Sequence, residues 1–137
     1  MIEVAYLDTS AVLRAVLERG TTPDLEKRLG NARYLITSRL ALVECARALH
    51  RLRSTGVDEA VLADAARETD SIWARCTIWE LTPAVCELAA QVVPGSPIRT
   101  LDALHLATIS LLRRRLGPDI DVLTADRRLE AALERLL

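Results

Sequence analysis

Four short apolar runs, each separated from the next by longer amphipathic stretches, constrain this chain more than any other feature. Residues 2–7 (Ile-Glu-Val-Ala-Tyr-Leu), 33–37 (Arg-Tyr-Leu-Ile-Thr), 77–81 (Thr-Ile-Trp-Glu-Leu) and 120–124 (Ile-Asp-Val-Leu-Thr) have the length and the β-branched or aromatic content of strands. The stretches between them carry helix punctuation. Ser10 opens a helix to about Arg19, Thr22-Pro23 a second to about Gly30, and Ser38 a third to about Ser54 with Gly56 as its stop. Asp58 opens a fourth to about Arg75, and Thr82-Pro83 a fifth to about Val92. Residues 94–99 read as a loop, Thr100 caps a helix over 101–116 that Gly117-Pro118 breaks, and residues 126–137 form the last. Side-chain oxygens at these starts can satisfy free N–H groups of a first turn, Pro is tolerated there, and Gly suits a helix end. Strands that alternate with helices pair in parallel, with helices covering both faces of the sheet. The expected fold is therefore α/β, a three-layer α/β/α sandwich around a central parallel sheet of four strands. Its ligand site is expected outside the carboxyl ends of those strands.

The chain has 137 residues, the length of one ordinary domain, and 1–137 is read as a single unit. Half of it is hydrophobic, without a single Phe, so the core must be aliphatic. The net charge of −1 gives no global attraction to nucleic acid. Of the 18 basic residues 17 are Arg, which suits bidentate phosphate contacts but also follows from a GC-rich genome. Cys45, Cys76 and Cys86 are odd in number and lack CxxC spacing, which fits reduced, buried thiols rather than a metal site. The N-terminus lacks the pattern of a signal peptide, and no apolar run approaches the ~18 residues that span a bilayer. A cytoplasmic protein without membrane contact is expected.

The polar residues that this topology sends to the strand ends are acidic. Asp8 ends the first strand, Asp126 follows the fourth, Asp102 lies in the first turn of the helix after the Pro-Gly loop, and Glu44 lies about two turns into the helix after the second strand. Carboxylates gathered together repel one another unless a cation neutralises them, and oxygen-only ligands select Mg²⁺ or Mn²⁺. Such an ion keeps waters and binds phosphate, so hydrolysis would need no Ser, Cys or His nucleophile. Residue by residue, other readings stand beside this one. Asp8 and Asp126 can be helix caps, and Asp102 can serve the helix dipole. On a helical wheel Leu42, Cys45, Ala46, Leu49 and Leu52 form the apolar side. Glu44 then shares a polar stripe with Arg47 and Arg51 that is solvated by default.

Leu7-Asp8-Thr9-Ser10-Ala11 resembles the opening of PIN-domain nucleases, and Ser38-Arg39-Leu40-Ala41-Leu42-Val43-Glu44 resembles the segment bearing their second acid. Thr100-Leu101-Asp102-Ala103-Leu104-His105-Leu106-Ala107 and Leu123-Thr124-Ala125-Asp126-Arg127-Arg128-Leu129 are similar to the third and fourth motifs. Four matches in order, across nearly the whole chain, are specific where one alone is weak. The resemblance implies a PIN-like fold and an Mg²⁺- or Mn²⁺-dependent endoribonuclease that hydrolyses RNA. It places the catalytic, metal-binding quartet at Asp8, Glu44, Asp102 and Asp126, with Ser10 and Thr124 in support. The compact size looks most like the VapC toxins of toxin–antitoxin pairs, which implies a homodimer and a small VapB-type antitoxin. Many relatives carry a fifth strand after the last helix; no turn and strand follow here before Leu137, so a fifth strand is left open.

His105 lies one turn after Asp102 and reads as a hydrogen-bonded support for the helix rather than a metal ligand; His50 reads as surface. Tyr6, Tyr34 and Trp79 read as core, and Trp73 lies on the middle helices that in the family meet a partner. Arg113-Arg114-Arg115 reads as a solvated run, whereas Arg127, Arg128, Arg47, Arg51, Arg14 and Arg99 lie near the expected mouth of the site. An aspartyl-phosphate phosphatase would need an acid where Ser10 stands and a catalytic Lys better placed than Lys27. A catalytically silent PIN fold that binds RNA or protein is the alternative, and it has no use for four mutually repelling acids.

Overall fold

The computed structural model describes residues 3–136. Its elements are β1 (Val4–Leu7), α1 (Thr9–Leu17), α2 (Pro23–Asn31), β2 (Tyr34–Ser38), α3 (Arg39–Ser54), α4 (Glu59–Arg75), β3 (Cys76–Trp79), α5 (Pro83–Ala89), α6 (Thr100–Leu116), β4 (Asp121–Leu123) and α7 (Arg127–Glu134). The four strands pair in parallel in the order β3-β2-β1-β4. The expected α/β sandwich with four strands is what forms, and no fifth strand occurs among the described residues.

Strand side chains alternate between faces, so one strand feeds two cores. Ala5, Leu7, Leu35 and Leu123 face α1 to α4 and pack with Ala11, Val12, Leu25 and Cys45. Tyr6 and Ile36 face the other way and pack with Ile109 and Leu112 of α6, with Trp79 and Leu133 at the margin. α6 is buried all round over His105–Ile109, because sheet, α5 and α7 enclose it. No helix among the described residues is long and apolar enough to cross a membrane.

Several local expectations need correction. Ser10 does not cap α1; Asp8 is the N-cap residue, and α1 stops at Leu17. Thr100 is the first residue of α6, after Arg99 at the N-cap. β3 begins at Cys76 and ends at Trp79, leaving Leu81 exposed, and α5 ends at Ala89 rather than Val92. Tyr34 is exposed at the start of β2, with the Arg33 guanidinium 5.4 Å from its ring centre. Trp79, on the edge strand β3, is only half-buried beneath Arg115. Trp73 lies on α4, as expected, and packs in part against the first core cluster. Of the three thiols only Cys45 is buried; Cys76 is partly covered and Cys86 is exposed on α5. Arg14 is taken up by Glu18 and Thr22.

Candidate active site

The sheet changes direction of growth between β1 and β4, since β1, β2 and β3 are laid down one way and β4 on the opposite side. Residues leaving those two strands emerge side by side. Leu7 pairs with both Thr37 and Leu123, and the Asp8 amide donates to the Leu123 carbonyl at 3.1 Å. Asp8 is thereby fixed at the carboxyl edge, 5% exposed.

A web of hydroxyls holds it. Asp8 Oδ2 accepts from Ser10 Oγ and from Thr124 Oγ1, the latter at 2.7 Å. Ser10 Oγ also accepts from the Ala125 amide at 2.9 Å, and Thr124 Oγ1 from the Asp126 amide at 3.0 Å. Ser10 and Thr124, foreseen as supports, therefore tie the β1 end to the β4 end and set the start of α7. Asp126 is the helix cap that the sequence allowed, and it leaves one oxygen for the site. Its Oδ1 caps α7, accepting from the Arg128 and Leu129 amides, while its Oδ2 faces Arg99 Nη2 at 3.7 Å. Asp102, on the first turn of α6, takes Arg99 Nε on its Oδ2 at 3.2 Å. Arg99 thus sits between two acids of the quartet.

Glu44 is where the helical-wheel reading fails. α3 buries Leu40, Ala41, Cys45 and Ala48 and leaves Val43 and Ala46 outside, a face rotated from the expected one. That rotation carries Glu44 inward. Its Oε1 accepts from Thr9 Oγ1 at 2.6 Å and from His105 Nε2 at 2.7 Å. A carboxylate only accepts here, so Nε2 carries a proton, and Nδ1 pairs with the Tyr6 hydroxyl 2.7 Å away. His105 Nε2 also lies 3.7 Å from Asp8 Oδ1. His105 is 1% exposed and paired through both ring nitrogens, as a hydrogen-bonded support should be, and it orients Glu44. The sequence reading missed Thr9 and took Tyr6 only as core. The signal for Tyr6 was strand parity: it lies two residues before Asp8, on the same face of β1.

The electrostatics follow from these contacts. Burial works to raise the Glu44 carboxyl, but the hydrogen bonds from His105 and Thr9, with the charges of His105 and Arg99, outweigh it and hold it below its usual range. Burial and the charges of Asp8 and Glu44 push the Tyr6 phenol well above its usual range. Burial, then the same two acids, pushes the Cys45 thiol up to about 12.

The acids thus converge in two pairs, Asp8 with Glu44 through His105 and Asp102 with Asp126 through Arg99. Among the described residues no three His, Cys, Asp or Glu side chains already form a cage for a metal ion. Mg²⁺ does not require one, since it is commonly held by one or two carboxylates with waters and substrate phosphate completing its shell. The donor set fits: every donor is a carboxylate oxygen, and Glu44 Oε2 and Asp102 Oδ1 make no hydrogen bond among the described residues. A groove of about 260 Å³ opens beside Glu44. Surface cavities of about 670 and 680 Å³ lie along α5 and α6, the second also against β3, and neither includes any of the four acids.

A parallel sheet that gathers acids at its switch point defines an α/β protein with a carboxylate site, and comparison with known proteins gives that class its name. The PIN domain family model matches residues 5–133, and the chain belongs to that family. Within it, the chain is similar to Ribonuclease VapC35 of Mycobacterium tuberculosis, 32% identical over 133 residues that cover 96% of this chain and 90% of the relative. It is likewise similar to Ribonuclease VapC49 of the same species, 32% identical over 128 residues, 92% of this chain and 86% of the relative. The fold is shared with the crystal structure of PAE2754 from Pyrobaculum aerophilum, with a TM-score of 0.64, 20% identity, and coverage of 98% of this chain and 86% of that one. It is also shared with a chain of VapBC2 from Rickettsia felis bound to a promoter DNA fragment. There the TM-score is 0.59 and the identity 14%, covering 90% of this chain and 99% of that one.

Proposed function

We infer that the protein is an endoribonuclease of the VapC kind, a cytoplasmic toxin that hydrolyses RNA phosphodiester bonds with Mg²⁺ or Mn²⁺. The observation that carries this reading is the convergence of Asp8, Glu44, Asp102 and Asp126, from four separate segments, on one edge of the sheet. The names of the VapC relatives agree with it. Asp8, Asp102 and Asp126 would hold the ion, with Glu44 as a further ligand or as the base. The ion, when bound, supplies a Lewis acid for the phosphate and a more acidic water. The chain's own part is positioning. Ser10 and Thr124 fix Asp8 through one oxygen, and the Tyr6–His105 pair and Thr9 fix Glu44 through Oε1. Glu44 Oε2 is then the atom placed to take a proton from the attacking water. In-line attack by water leaves a 5′-phosphate and a 3′-hydroxyl. We further propose a homodimer regulated by a small VapB-type antitoxin; the structure similar to this chain that comes from a VapBC complex supports the partner.

The test is cleavage of structured total RNA by the purified chain, freed of co-purifying protein, with Mg²⁺, Mn²⁺ or EDTA. Discrete fragments that need the metal and vanish in Asp102→Asn are expected. If Asp8→Asn and Asp102→Asn cut as fast as the parent, the reading is wrong.

A further inference from the structure

The arginines of this chain divide into two kinds. Arg14, Arg19, Arg28, Arg39, Arg53 and Arg67 each hold a carboxylate. Arg47 and Arg51 hold none among the described residues, although both are exposed on α3 beside an acidic site. Their nearest acid along the helix, Glu44, is turned inward and bonded to His105 and Thr9. Together with Leu40, Val43, Glu44 and Leu101 they line the groove of about 260 Å³. Two of its apolar residues are unusually open to water: Val43 is 54% exposed and Leu101 47%. They come from different helices, and Leu101 directly precedes Asp102.

We propose that this groove seats the RNA strand next to the bond being cut, with Arg47 and Arg51 on two of its phosphates and Leu40, Val43 and Leu101 beneath a ribose or base. The proposal rests on the ribonuclease reading above. Charge complementarity selects the occupant. Guanidinium forks match phosphate oxygens, and an Arg without an acid partner gives up no ion pair on binding. Residues 47 and 51 are one helical turn apart, about 6 Å along the axis, so two successive groups of a polyanion can be held at once. The small apolar floor gives a sugar or ring a dry contact between charged walls. The net charge of −1 hides this patch, because it sums over the whole chain and says nothing of where the unpaired guanidinium groups lie.

The experiment measures binding of a fluorescein-labelled single-stranded RNA of mixed sequence to Asp102→Asn protein in Mg²⁺, across a range of salt concentrations. Two double variants are compared in that background, Arg47→Gln/Arg51→Gln and Arg114→Gln/Arg115→Gln, the latter at the far end of α6. Each phosphate contact to a single strand contributes about 0.7 to the slope of log affinity against log salt. The first variant should lose about 1.4 of that slope and the second none. Arg47→Lys/Arg51→Lys, which keeps the charge, should retain most of it. Matching thermal melts establish that all variants are folded. An unchanged slope in the first variant overturns the proposal, as does an equal loss in both, which would mean only a diffuse field. If RNA binding is untouched while binding of an acidic peptide such as hexaglutamate is lost, the groove takes protein and the RNA assignment falls. Cleavage by the parent chain is scored separately. A parent that binds RNA with a steep slope but does not cut it sinks the ribonuclease reading and leaves the groove standing, whereas a parent that binds no RNA sinks both.

Discussion

Asp126 shows how one carboxylate serves fold and site together. Its Oδ1 satisfies two orphan amides of α7 while Oδ2 faces Arg99. The two duties separate by mutation. Asn caps a helix nearly as well as Asp, so Asp126→Asn should keep its urea midpoint within a few tenths of a kcal/mol and lose RNA cleavage. Asp126→Ala should lose cleavage and a further ~1 kcal/mol of stability. Glu44 makes a different prediction, through pH. Its carboxyl is held below the unfolded value of 4.5, so it stabilises the fold above that value, and the contribution disappears as pH falls through the lower folded value. Urea unfolding of the parent and of Glu44→Gln should therefore differ most near neutral pH, and the gap should close as the pH falls below 4.5. A gap that widens on acidification would mean that Glu44 is not ionised in its nest of His105 and Thr9. At this scale the sequence named all four acids through their motifs, but not the Thr9–Glu44–His105–Tyr6 chain. Those partners are up to 99 residues apart, and only the fold brings them into contact.

Elements were legible where local chemistry decides them. Ser38 and Asp58 cap α3 and α4 as their positions imply, with the Leu40 and Ala60 amides bonded to their side chains. Gly117 ends α6 at φ +105°, a conformation that side-chain-bearing residues avoid. Gly30 lies near the end of α2, exposed, with open space where a Cβ would point and no positive φ. Thermal melts should therefore move in opposite directions, Gly30→Ala gaining about 0.5 kcal/mol and Gly117→Ala losing about 1 kcal/mol or more. The face of α3 was misread for a reason at the same scale. Its apolar residues fit two overlapping stripes, one through Leu42, Cys45, Ala46, Leu49 and Leu52 and one through Leu40, Ala41, Cys45 and Ala48. Periodicity cannot choose between them, and contact with α4, α1 and β2 selects the second.

At the scale of the whole molecule, four acids share one edge and repel one another, relieved in the described structure by Arg99 and His105. A divalent cation that binds there binds the folded state alone, so it must stabilise it. At about 100 times its dissociation constant the gain is about 2.7 kcal/mol, a Tm rise on the order of 8–10 °C for a domain of this size. Differential scanning calorimetry with Mg²⁺, Mn²⁺ and EDTA should show that rise in the parent and little of it in Asp8→Asn; equal melts in all three media would remove the metal from the proposal. The α/β architecture and the four strands were determined by the sequence alone, because periodicity, caps and breakers act within a few residues, whereas the four acids were picked out by the resemblance of their motifs. Which face of α3 turns inward was decided only by the tertiary structure. So were the pairing of the acids through His105 and Arg99 and the inward turn of Glu44 that leaves Arg47 and Arg51 without it, because each depends on side chains that meet across the sheet edge from distant parts of the chain.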